Sequence, residues 1–150
     1  MVNSGHNRWH AAIGVAAAAL FAASLVLPVA TARQTQGLTT IMGYELLYMG
    51  PFGMLDGQFG WLATPCLIFA IVTALSRRSS SGPRVKAFVL IIMLLALADA
   101  VAWHDYPNDG GPGPLIAHGN GFFAWTAAVV LGALGLIVAI REAGPLRGGR

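Results

Sequence analysis

Phe88-Val89-Leu90-Ile91-Ile92-Met93-Leu94-Leu95 is an unbroken apolar octet. A helix on the surface of a soluble protein carries a polar side chain on its outer face every three or four residues. Here both faces of any helix are hydrocarbon. The octet lies within Val85–Trp103, a run broken only by Lys86 near its start and Asp99 near its end. Three more stretches resemble it: Trp9–Ala30, rich in alanine, a second beginning between Leu55 and Trp61 and ending at Leu75, and Phe122–Ile140, which has no charge. Crossing a hydrocarbon core of about 30 Å takes about 20 mostly apolar residues. The expectation is an all-α fold: one integral membrane domain over 1–150, a four-helix bundle with spans at approximately 9–30, 55–75, 85–103 and 122–140.

Composition agrees with lipid as the solvent. Hydrophobic residues make up 56% of the 150 and charged residues 10%, with mean hydropathy +0.66. A water-soluble domain carries about 25% charged residues because its surface must be solvated. The net charge of +3 and pI near 9.6 do not point to nucleic acid, since no basic stripe and no recognition motif is present. The single cysteine, Cys66, lies in an apolar run without a second thiol or a metal-ligand spacing, which disfavours disulfide exchange.

The basic residues instead orient the chain, because positive loops stay in the cytoplasm. Arg8 precedes the first run, Arg77, Arg78, Arg84 and Lys86 cluster between the second and third, and Arg141, Arg147 and Arg150 follow the fourth; Arg33 alone falls on the opposite side. Glu45, Asp56, Asp105 and Asp109 lie on that opposite side, with Asp99 near it. Both termini are therefore expected in the cytoplasm. The excess of arginine over lysine, with abundant alanine and glycine, fits a GC-rich bacterial genome and so a bacterial inner membrane. One competitor is a cleaved leader, since Ala30-Thr31-Ala32 has the small-x-small pattern of a signal-peptidase site. Apolar cores of signal peptides run about 7–15 residues, whereas Ala11–Leu27 is 17 residues long, so retention as a span is preferred.

Two outer loops separate the spans. Leu38–Met49 is apolar with Tyr44, Tyr48 and Glu45, and reads as a short interfacial helix. His104–Gly121 has a centre rich in proline and glycine, Pro107–Pro114, and reads as a mobile, turn-rich connector. Trp61, Trp103 and Trp125 fall at the outer boundary and Trp9 at the inner one, the arrangement of an interfacial aromatic belt.

Few residues carry chemistry. Gly50, Gly53, Gly57 and Gly60, with Gly43 seven residues back, share one face if the chain is helical there. Such a stripe lets helices approach closely, as a packing face within the subunit or, more sharply, a pore lining or self-association face. Gly14, Ala18 and Ala22, and Ala128 with Gly132, repeat the spacing. Asp99 is the only carboxylate set in an apolar run. A charge within lipid costs at least about 2.5–3.5 kcal/mol, so it is a candidate ion or proton site with Glu45 as a second group. It is only about 6 Å deeper than Trp103, however, within reach of water or of an outer-loop partner. His104, His118, Asp105, Asp109, Glu45 and Asp56 match no metal-ligand spacing, and a solvated acidic surface is the default. No nucleophile–base pair or phosphate cradle occurs, and no cofactor or resident metal is expected.

Ile41-Met42-Gly43-Tyr44-Glu45-Leu46-Leu47 followed by Trp61-Leu62-Ala63-Thr64-Pro65 resembles a pattern in small uncharacterised bacterial membrane proteins. There a Gly-aromatic-Glu-Ala/Leu-Leu segment precedes Trp-Leu-Ala-Asn-Pro; this chain has Thr64 in place of the asparagine. The resemblance covers about a quarter of the chain. It implies four spans and carries over no catalytic residue. The function expected is a structural or accessory membrane component that packs with itself or a larger membrane partner. The alternative is a small oligomeric transporter or channel using Asp99.

Overall fold

Helix α1 (Ser4–Val26) stops where Pro28 forces the residue before it out of helical geometry. The chain turns there into strand β1 (Pro28–Gln34), reverses, and returns as β2 (Gly37–Met42). Gly37 sits at φ 128°, a backbone angle that only glycine adopts without strain, and begins the return strand. Helix α2 (Gly43–Gly53) follows, then two 3-10 turns, Met54–Asp56 and Gly60–Leu62, either side of Gly57 at φ 81°. Helices α3 (Ala63–Leu75) and α4 (Pro83–Val101) come next, then β3 (Asp105–Tyr106), β4 (Gly113–His118) and α5 (Asn120–Glu142). This computed structural model describes residues 4–34, 37–76, 81–106 and 113–143.

The strands form one antiparallel sheet in the order β2-β1-β4-β3. Ala32 pairs with Thr39 on one side and Leu115 on the other, and Ala30 with Ile41 and His118. Gly43 N–H to Leu27 O (3.1 Å) and Gly119 N–H to Val29 O (2.7 Å) continue the pairing into the first residues of α2 and the approach to α5. Beneath the sheet, Ala30, Ala32 and Ile41 form a small core with Leu46, Trp103, Tyr106 and Leu115.

Helix α5 packs against α1, α3 and α4. Its buried face holds Ala128, Val129, Gly132, Ala133, Gly135 and Leu136, and the shared core adds Ala17, Leu67, Ala70, Met93 and Ala96. Small residues set the spacing: a Cβ on Gly132 would stand 2.9 Å from Leu67, and one on Gly14 3.0 Å from Ala74. α1 leads into β1, α3 starts from the 3-10 turns, α4 ends at β3 and α5 starts from β4, so the sheet and α2 gather at one end of the helices. At the other end His10 Nε2 lies 2.8 Å from Glu142 Oε2, tying the start of α1 to the end of α5.

The all-α expectation is overturned by this sheet: the fold is mixed, with five α-helices and four strands among the described residues. Leu38–Met42, read as the start of an interfacial helix, is a strand, and the helix begins only at Gly43. Gly113–His118, read as part of a mobile connector, is the strand that joins the two hairpins; the centre of that connector, 107–112, lies outside the described residues. The physical reason is pairing at long range. Ala30 meets His118 across 88 positions, and strand formation depends on such partners more than on local pattern. The spans are corrected with it. The first apolar run is helical only to Val26, and residues 55–62 of the second lie in 3-10 turns and links. Among the described residues two helices, α1 from Trp9 and α5, are long and apolar enough to cross a membrane, while Gly60–Leu75 is a shorter apolar stretch. A cut after Ala32, at the leader-like site, would sever β1, the strand paired on both edges.

Large apolar side chains point away from the helix core. Val15 and Val26 on α1, Ile68 and Val72 on α3, Phe88, Ile91 and Leu95 on α4, and Phe123 and Leu134 on α5 are all exposed. Soluble monomers rarely present apolar surface on this scale.

Candidate functional site

Where the helix ends meet α2 and the sheet they leave a cavity of about 660 Å³. α1 contributes Phe21 and Ser24, α2 contributes Leu46, Gly50 and Gly53, α3 Thr64, α4 Asp99, the α4–β3 corner Trp103–Tyr106, and α5 Phe122 and Trp125. Gln58 and Trp61 complete it from the 3-10 segment.

Three indoles are fixed by their N–H groups. Trp61 donates to Leu47 O (3.2 Å), Trp103 to Asp105 O (2.6 Å) and Trp125 to Thr64 Oγ1 (3.3 Å). The rings therefore offer a ligand only carbon and π surface. Gly50 is required beneath Trp61, since a Cβ there would overlap the indole. Ser24 donates its hydroxyl to Phe21 O (2.6 Å), a bond back along its own helix that withdraws it from use as a nucleophile.

Asp99 accepts two backbone hydrogen bonds through one oxygen: Phe59 N–H and Gly60 N–H both lie 2.8 Å from Oδ2. Those amides open the 3-10 turn that runs into α3, so the carboxylate from α4 caps a neighbouring helix, where backbone N–H groups lack internal partners and negative charge is favoured. The approach is close, for a Cβ on Gly60 would stand 2.8 Å from Ala100 Cβ. Glu45 does the same at α2, accepting from Met42 N–H at 3.1 Å. Both candidate ion-site carboxylates thus hold helix starts, and only Asp99 is among the described cavity-lining residues.

The glycines do not form a continuous helical face. Gly50 and Gly53 belong to α2, Gly57 is a left-handed turn residue with open space beside it, and Gly60 begins a separate 3-10 turn. The cavity brings Gly50, Gly53 and Gly60 together with Asp99; Gly57 is apart. Three other glycines, Gly43 of the same run among them, have a larger role. Cβ atoms on Gly43, Gly119 and Gly121 would collide with the Ser24, Pro28 and Leu27 carbonyls, so the corner from α1 to β1 is clamped by backbone on three sides. Of these, Gly119 and Gly121 carried no signal in the sequence.

His104 and Asp105 line the cavity, while His118, on β4, stacks 4.2 Å from Phe122 with its Nε2 buried and without a hydrogen-bond partner. Among the described residues no three His, Cys, Asp or Glu side chains converge as a metal site; Asp109 lies outside them. The cavity charge is acidic: Asp99 and Asp105 line it, and no described lining residue is Lys or Arg. Burial, then the negative charge of Glu45 and then Tyr48, push the Tyr106 phenol above its ordinary 10.0. Phe21, Ser24, Gln58 and Thr64 were missed as site residues, and the tryptophans were read only as a belt. Their shared depth was the available signal, since rings at one level around packed helices also surround whatever space those helices leave.

No protein-family profile, no curated protein and no solved structure matches this chain.

Proposed function

We propose that the chain is an accessory membrane protein whose cavity, on the non-cytoplasmic side, holds a small and largely apolar ligand. The observation that carries this is the cavity itself. Its volume of about 660 Å³ falls within the roughly 300–1,000 Å³ of small-molecule sites, and its lining of aromatic walls with a few fixed polar groups has the same character. In this proposal α1 and α5 cross the membrane, and α3 and α4, packed on α5, share the same layer. The exposed apolar faces of all four helices support it. Arg77 and Arg78 between α3 and α4, Arg84 in the first turn of α4, and Arg141 at the end of α5 support a cytoplasmic position for the end opposite the sheet, and with it for both termini. A bacterial inner membrane is the proposed setting. Use of Asp99 as a travelling ion or proton site is the weaker alternative, because its Oδ2 is committed to two backbone N–H groups.

The test uses tryptophan quenching in maltoside micelles. Trp9, at the far end of α1 and 74% exposed, is first removed as Trp9→Phe. Bromobenzene is then expected to quench the remaining indoles saturably. Gly53 lines the cavity, and a Cβ there meets only ordinary contact with Gln58, 3.5 Å away. Gly53→Phe therefore fills the space and is expected to raise the half-saturating concentration at least tenfold. Quenching that rises linearly in both proteins would reduce the effect to partition into the micelle and refute the proposal.

A further inference from the structure

The apolar walls say that a ligand fits; the polar groups say what charge it bears. Two carboxylates, Asp99 and Asp105, line the cavity without a described Lys or Arg beside them. An anion there would meet two like charges. A neutral apolar ligand would strip water from the carboxylates and return nothing, and burying charge without compensation is costly. A cation is favoured by both carboxylates and also by the rings. Trp61, Trp103, Trp125 and Tyr106 all line the space, and a cation over an aromatic face gains about 0.5–2 kcal/mol, the upper end when desolvated.

The hydrogen-bond inventory narrows the cation further. The Asp105 carbonyl already accepts from Gln58 Nε2 (2.9 Å) and Trp103 Nε1 (2.6 Å), which fills both its lone pairs. Asp99 Oδ2 takes two amides, Thr64 Oγ1 takes the Trp125 indole, and the Leu47 carbonyl takes Trp61. A primary ammonium needs three acceptors, and a hard metal ion six or more oxygens. These cavity acceptors are occupied, which leaves Asp99 Oδ1 and the Asp105 carboxylate as carriers of negative charge among four aromatic side chains. A cation with its charge spread over alkyl groups and no N–H to satisfy needs none of the acceptors.

Resting on the binding role given to the cavity above, we infer that its ligand is a quaternary ammonium carrying an apolar body. The same ammonium occurs on free organic cations and on choline headgroups of lipids. A headgroup would also bring its phosphate toward Asp99 and Asp105, so the free cation is the better fit.

The experiment compares 4-bromobenzyltrimethylammonium with its uncharged carbon isostere, 1-bromo-4-neopentylbenzene, on the Trp9→Phe protein in maltoside, after correcting each for micelle partition. The cation is expected to half-saturate quenching at a concentration at least tenfold below the isostere. Asp105→Asn, whose described hydrogen bonds use only the backbone carbonyl, is expected to weaken the cation three- to tenfold without weakening the isostere. Asp99→Asn is expected to do the same; if it fails to fold, Asp105→Asn decides. Equal half-saturation by the two probes would overturn the inference while leaving the cavity as a binding site. Saturation by neither would overturn both. Short-chain phosphatidylcholine, added as competitor, is expected not to displace the cation. Displacement by it but not by short-chain phosphatidylglycerol would support the quaternary ammonium and assign it to a lipid.

Discussion

Asp99→Ala removes the acceptor on which two amides converge. Each N–H···O distance is 2.8 Å, short and charge-assisted, and together they fix the start of α3 against the end of α4. Hydrogen bonds to charged groups contribute about 1.5–3 kcal/mol each. Phe59 is exposed, so water recovers part of the loss at its amide; Gly60, pressed against Ala100, recovers less. Loss of an ordinary helix cap costs about 0.5–2 kcal/mol, which sets a floor. The expected destabilisation is about 2–4 kcal/mol. Asp99→Asn keeps an amide oxygen at the same place and loses only the charge, so about 1–2 kcal/mol is expected. Reversible unfolding in maltoside titrated with dodecyl sulfate, followed by Trp61 and Trp103 fluorescence, measures both. Asp99→Ala within 0.5 kcal/mol of the parent, or Asn as damaging as Ala, would refute the capping role (about 0.5 kcal/mol being the ordinary scatter of surface substitutions).

Three further outcomes follow from the geometry. Gly43→Ala drives a Cβ into the Ser24 carbonyl and is expected to cost about 3 kcal/mol in the same assay, since neither backbone segment can yield easily. Tyr106 has its pKa raised in the folded protein, so above pH 10.0 the unfolded chain releases its proton first and stability falls with rising pH. A melting series from pH 8 to 12 should show part of that loss vanish in Tyr106→Phe, and identical curves for the two proteins would contradict it. His10 and Glu142, 2.8 Å apart and partly exposed, are expected to couple by about 0.5–1 kcal/mol in a double-alanine cycle.

The helices were legible because their signal is local. Phe88–Leu95 lies within α4, and each apolar run carries a helix whose partners need not be known. The strands were not. Ala30-Thr31-Ala32 buries its two alanines and looks like a leader cleavage site; only Ile41 and Leu115, distant in sequence, make it the centre of a sheet. Proline and glycine around 107–114 carry the composition of a loose connector, yet Gly113 and Pro114 pair with Tyr106 and Asp105. Asp99 stood out as a charge in an apolar run. Its partners are backbone amides, which residue identity does not reveal. The glycine spacing misled for a related reason. Three-and-four spacing defines a face only on a continuous helix, and Gly57 at φ 81° interrupts it.

The proposed membrane role requires the sheet and the link between α3 and α4 to face opposite sides of a membrane. Cys66→Ala removes the native thiol, and Thr39→Cys on the exposed edge strand and Ser81→Cys before α4 then report the two sides. An impermeant maleimide applied to intact cells should label position 39 at once and position 81 only after permeabilisation. Labelling of both from the same side, or recovery of the protein in the soluble fraction without detergent, would contradict it.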